Sequence, residues 1–181
     1  MKRSNSIKQN FGFTLIELLV TLTIFAILIG VATPAMRDFS RNQVINGAVT
    51  NLSSDIQYAR SEAVARKTQV AICASTDGAS CASTDDWLGG WIVLITDADK
   101  CPAAGECVLR TKNGLSAAMT LNASVNTAIN FSEQGTTNAT VQFALCSADR
   151  AAAADDIYLR TLTLKPSGSR QIRVGASSCD P

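Results

Sequence analysis

The 181-residue sequence contains no histidine. That removes the commonest general base and the commonest nitrogen ligand for a metal, and it leaves no histidine to activate a serine or cysteine nucleophile. Its six cysteines never fall in a CxxC pair, so the usual zinc spacing is missing too. No glycine-rich phosphate loop occurs, and the carboxylates are scattered. The chain is therefore read as a non-enzyme without metal or cofactor. Charge is also scarce, at 17% of residues, and Lys2, Arg3 and Lys8 hold three of the sixteen basic side chains in the first twelve positions. The remainder, thirteen basic against fifteen acidic, does not have the general basic surplus of a nucleic-acid binder and leaves room only for a local patch.

What the sequence does have is one long apolar run. From Phe13 to Ala32 the only charge is Glu17. About twenty such residues at about 1.5 Å each span a hydrocarbon core. The basic residues ahead of it hold the N-terminus in the cytoplasm and send the body outward. An ordinary signal peptide has an apolar core of about 7–15 residues and a small-x-small cleavage site; this run is longer, and Val31-Ala32-Thr33-Pro34-Ala35 is a poor site. A plain anchor does not explain Glu17, because an intramembrane carboxylate costs about 2.5–3.5 kcal/mol and calls for a partner.

The stretch Gly12-Phe13-Thr14-Leu15-Ile16-Glu17-Leu18-Leu19-Val20 resembles, residue for residue, the processing signal of type IV prepilins and type II secretion pseudopilins. The resemblance implies cleavage between Gly12 and Phe13 by a membrane-embedded prepilin peptidase and methylation of the new amine on Phe13. It also implies that Glu17 neutralises the Phe13 ammonium of a neighbouring subunit, two charges that are tolerable in lipid only together. Pro34 matches a proline at the end of the family's membrane segment, where it loosens the helix.

Beyond Pro34, apolar residues at Met36, Phe39, Ile45, Ala48, Leu52, Ile56, Ala59 and Ala63 recur mostly three or four apart, with Arg37, Arg41, Asp55, Arg60, Glu62 and Arg66 off the stripe. This predicts an amphipathic continuation of the helix to about Lys67. Short runs then predict strands over Gln69–Ala74, Gly90–Thr96, Val108–Thr111, Ala128–Phe131, Thr140–Cys146 and Tyr158–Lys165. In the last, Tyr158, Arg160, Leu162 and Leu164 share one face, and Leu159, Thr161, Thr163 and Lys165 the other. Glu133-Gln134-Gly135-Thr136 and Pro166-Ser167-Gly168-Ser169 read as turns. The pattern predicts an α+β fold with one long helix packed on antiparallel sheet, and the resemblance implies that this is the type IV pilin fold. The expected domains are a cleaved leader over 1–12, a membrane and filament-core helix over 13–33, an amphipathic stalk over 34–67 and a β-rich body over 68–181.

The even cysteine count beyond a membrane segment points to disulfides in an oxidising compartment. Nearness in sequence favours Cys73 with Cys81 and Cys101 with Cys107, leaving Cys146 with Cys179. Trp87 and Trp91 flank Gly89-Gly90 and read as one core residue and one partly exposed residue, while Asp97 and Asp99 read as a solvated turn rather than calcium ligands.

Across the body, Gln57-Tyr58-Ala59-Arg60-Ser61-Glu62-Ala63, Trp87-Leu88-Gly89-Gly90-Trp91, Val108-Leu109-Arg110 and Asn130-Phe131 with Gly135 resemble the GspH/FimT group of minor pilins and pseudopilins. The cysteine-bearing body, with Cys146 and Cys179, is more similar to the pilus branch. That resemblance implies a single-pass protein of the bacterial inner membrane with a periplasmic body, which then joins a filament with other pilins or pseudopilins. The implied role is a minor pilin of a priming or tip complex, with a type II secretion pseudopilin as the alternative. A second alternative is a DNA-binding minor pilin for natural transformation. Some FimT-like proteins capture DNA through a C-terminal Gly-Arg-x-Arg stretch, matched imperfectly here by Gly168-Ser169-Arg170-Gln171-Ile172-Arg173 beside Arg160 and Lys165; solvated charges that guard a strand edge are the competing reading.

Overall fold

The structure is a computed structural model that describes residues 13–101, 107–148, 159–175 and 179, without the side chains of 31–35, 37 and 38. The expected leader over 1–12 with Gly12, the side chain of Pro34, and Tyr158 therefore lie outside the described residues. Helix α1 runs Leu15–Arg66. Thr14 caps its start, accepting from the Glu17 backbone N–H through Oγ1 at 3.3 Å. At its end Lys67 takes the left-handed conformation (φ 50°), and the Thr68 N–H returns to the Ala63 carbonyl at 3.2 Å. This closure usually employs glycine; here a lysine carries it.

The chain divides into two compact units between Ser40 and Arg41. In the first, the helix exposes its apolar side chains, Leu15, Ile16, Leu18 and Leu19 among them. The second contains the rest of α1 and eight strands: β1 (Val70–Ala74), β2 (Gly90–Ile95), β3 (Val108–Asn113), β4 (Met119–Ala123), β5 (Ile129–Phe131), β6 (Val141–Ser147), β7 (Arg160–Leu164) and β8 (Arg170–Val174). They form two four-stranded sheets, β3-β2-β1-β5 and β4-β6-β7-β8, with every neighbouring pair antiparallel. Six of the eight match the expected runs to within two residues; β4 and β8 were not anticipated as strands.

One core joins these layers. Ile45, Ala48, Leu52, Ile56, Ala59 and Ala63 of α1 cluster with Ile72, Val93 and Phe131 of the first sheet and Leu121, Phe143, Leu145 and Leu162 of the second. Each fully buried Leu, Ile or Phe contributes about 1.5–3 kcal/mol. Met36 and Phe39, on the same expected stripe, remain 64% and 59% exposed. The cysteines pair as Cys73–Cys81, Cys101–Cys107 and Cys146–Cys179. The last joins positions 33 residues apart, and closing a loop of that length stabilises a fold by up to about 3–4 kcal/mol.

Candidate functional site

The residues to which the sequence assigns assembly stand at the start of α1, Phe13 just before it and Glu17 in its first turn. Phe13 is 84% exposed, and Glu17 is exposed in that turn. After it Leu18, Leu19, Val20, Leu22, Ile24, Phe25, Ile27, Leu28 and Ile29 are each about half exposed or more. At 100° per residue these positions cover the whole circumference, so the helix has no polar side to turn toward water. Thr21 and Thr23, which interrupt the run, return their hydroxyls to the carbonyls of Leu18 and Val20 at 2.9 and 2.8 Å. Such a surface requires an apolar medium, either lipid or other helices. Among the described residues, no helical stretch is long and apolar enough to cross a membrane; the expected 13–33 segment extends into positions whose side chains are not described.

In the body, the family-like residues are structural. Arg110 of β3 reaches Asp55 of α1 at 2.7 Å, with its guanidinium 3.8 Å above the Tyr58 ring. The other Asp55 oxygen accepts from the Trp91 indole at 2.9 Å. Asp55, expected off the apolar stripe, is thus buried, at 6% exposure. The expectation of one core and one partly exposed tryptophan is also corrected: both are 1% exposed. Trp87, in the connection before β2, packs edge-on against Phe143 of the second sheet at 5.0 Å, whereas Trp91 stands on β2 of the first. Asp55→Ala should cost about 2–3 kcal/mol, mainly by stranding the Trp91 N–H, because Arg110 keeps access to water. Urea unfolding of the body would read this; a loss below about 0.5 kcal/mol would contradict it.

Two glycine turns meet at Arg60. Its Nε donates to the Gly135 carbonyl at 3.0 Å, and Thr137 N–H donates to the Pro166 carbonyl at 2.8 Å. Gly135 and Gly168 both have φ of 74°, so the turn after β5 and the turn between β7 and β8 lock against the helix.

The four cations considered for DNA do not assemble. Arg160 is 7% exposed and donates to Asn46 at 2.9 Å and Asn42 at 3.2 Å. The sequence put it correctly with Leu162 and Leu164, but that face is the core side. Arg170 turns onto α1, donating to Ser53 at 2.5 Å and to Gln57. Arg173 pairs opposite Thr161, which puts it on the other sheet face, and Lys165 is exposed at the turn. No bulge interrupts the β7–β8 register to realign them. Among the described residues, no group of acidic and cysteine side chains could hold a metal. Asp97 instead caps a short 3-10 turn, accepting from the Asp99 N–H. Asp77 is likewise saturated: Ser80, through its side chain and backbone, then Ala79 and Ser75, hold its carboxyl far below the usual range.

An exposed apolar helix start headed by Glu17 and a disulfide-tied body of two antiparallel sheets packed on the later part of that helix are the features of a pilin-type subunit. The chain belongs to the family described as Type II transport protein GspH, whose model matches residues 48–177. The prokaryotic N-terminal methylation motif matches residues 7–33. The chain is accordingly a minor pilin or pseudopilin subunit, of a structural rather than enzymatic family. Among solved structures it is similar to the type IV minor pilin FimU of Pseudomonas aeruginosa, with 26% identity, 77% of this chain and 97% of that one covered, and a TM-score of 0.58. A second crystal form of FimU gives 25% identity, coverage of 74% and 98%, and a TM-score of 0.55. The minor pseudopilin EpsH of the Vibrio cholerae Type 2 Secretion System follows at 8% identity, coverage of 72% and 97%, and a TM-score of 0.49. No curated protein matches the chain.

Proposed function

We propose that this chain is a minor pilin of a type IV pilus, cut by prepilin peptidase between Gly12 and Phe13, methylated on Phe13, and held in the inner membrane with its body in the periplasm until assembly. The observation that carries the proposal is the exposed Glu17 at the head of a helix apolar on every side, four residues beyond the cleavage position. In the filament that carboxylate faces the freed Phe13 ammonium of a neighbouring subunit, since each charge alone is costly in lipid. Similarity to the type IV minor pilin FimU over 97% of its crystallised chain supports the pilus branch over the secretion branch. Three disulfides support an oxidising compartment for the body. Mass spectrometry of the native protein should find a chain beginning at N-methylated Phe13. A chain starting elsewhere would overturn the proposal.

A further inference from the structure

We infer that the outer edge of β8 is a docking strand, which takes an extended, carboxylate-bearing segment of a different filament subunit as an added strand of the second sheet. The inference rests on the proposed reading of the chain as a filament subunit. The sheet ends in β4 on one side and β8 on the other. The β4 edge is already covered: Trp87 N–H donates to the Leu121 carbonyl and Ala123 N–H to the Asp85 carbonyl, both at 2.8 Å, and Asp86 bridges Asn122. Among the described residues, no segment covers β8 in this way.

Its register shows what that edge offers. Lys165 N–H donates to the Ser169 carbonyl and Gly175 N–H to the Leu159 carbonyl, so the odd-numbered residues of β8 bond to β7. The N–H and C=O groups of Arg170, Ile172 and Val174 therefore point outward. All five residues of β8 are exposed, and Ile172 and Val174 remain 44% and 65% exposed. Of the devices that blunt free edges, β8 has its short length and the charges of Arg170 and Arg173 but no proline and no bulge, its register with β7 being unbroken, so the outward N–H and C=O row stays open to a strand of opposite charge.

Charge names the partner. Apart from Arg160, which is buried against Asn42 and Asn46, the hairpin exposes Lys165, Arg170 and Arg173 and has not one Asp or Glu from Arg160 to Val174. Arg170 is held by the neutral Ser53 and Gln57. Neither Arg170 nor Arg173 makes an ion pair among the described residues. An acidic extended segment satisfies both the backbone ladder and these cations, the mode by which sheet edges take up peptides. A nucleic-acid backbone fits less well. Arg170 and Arg173 alternate to opposite faces, and a phosphate chain has no groups to pair with the outward N–H and C=O row.

The test uses the full-length chain in cells that assemble the filament, with a photo-cross-linking residue replacing Gln171. The expected adduct joins this chain to another subunit bearing a methylation motif, at an acidic segment of that partner. Ile172→Pro should abolish it, because that substitution removes an outward donor and leaves the β7 ladder intact; Arg173→Glu should weaken it. Formation of the Cys146–Cys179 bond checks that each variant folds, and if Ile172→Pro fails that check, Arg173→Glu decides. An adduct unchanged in the folded variants overturns the inference, as does an adduct to a second copy of this chain or salt-sensitive capture by DNA in its place. A mature chain that does not begin at Phe13 would bring down the filament reading itself. Correct processing with an unaffected adduct would bring down only the edge.

Discussion

Glu17→Ala is expected to leave the chain processed and inserted but to lower its share of the filament on the order of a hundredfold. The magnitude follows from the medium. An unpaired charge in the apolar interior costs about 2.5–3.5 kcal/mol, and each 1.4 kcal/mol is tenfold in an assembly equilibrium. Glu17 has a second possible occupation, since it stands three residues after the cap Thr14 and donates its own N–H to the Thr14 hydroxyl. In that arrangement the Glu17 side chain can reach back to the cap N–H, a role glutamine fills as well, with a value of about 1 kcal/mol. Glu17→Gln separates the two. If the carboxylate pairs with an ammonium, glutamine should fail as alanine does; if it only caps the helix, glutamine should restore incorporation. Quantifying each variant in sheared filaments against its processed pool in the membrane gives the answer. Normal incorporation of Glu17→Ala would refute the pairing role.

What could be read in advance was whatever repeats at a fixed period. Ile45 to Ala63 recur on one helix face and are buried there, and β1, β2 and β6 are apolar enough to announce themselves. Strand β4 alternates correctly, with Met119, Leu121 and Ala123 inward, but of its five residues only Thr120 is a strand former, and Asn122 and Ala123 are depleted in strands. Strand β8 is exposed on both faces, so no apolar pattern exists to detect. The misplaced side chains share a different cause. Asp55 is buried by partners 36 and 55 positions away, and Arg160 by asparagines more than a hundred positions earlier. Period locates a face, whereas the pairing that makes a charge acceptable on that face comes from distant sequence. Trp87 escaped the alternation argument because it precedes β2 and packs on Phe143 of the other sheet. The N-terminal methylation motif was legible for the opposite reason: its residues are contiguous, so the match over residues 7–33 needs no partner from distant sequence.

Gly168→Ala should cost the body about 3–4 kcal/mol, a large part of the 5–15 kcal/mol that holds a typical domain together. Two terms add. A side chain at φ 74° incurs about 1–2 kcal/mol of backbone strain. The new Cβ would also press on the Gly135 carbonyl and lie 2.7 Å from Arg60 Nε, and the backbone oxygen cannot yield without moving the turn that Arg60 holds. Relief therefore means loosening Arg60 from Gly135 or Thr137 from Pro166, each net hydrogen bond being worth about 0.5–1.5 kcal/mol, more for the charged donor. Ser169→Ala, beside it in the same turn, should stay within about 0.5 kcal/mol, because it removes only an exposed hydroxyl contact with Ser167. Denaturant midpoints of the two variants, with all three disulfides formed, provide the comparison. Equal midpoints would mean that the helix does not clamp the two turns together, and that the β7–β8 hairpin is held in place by its strand pairing and the Cys146–Cys179 link alone.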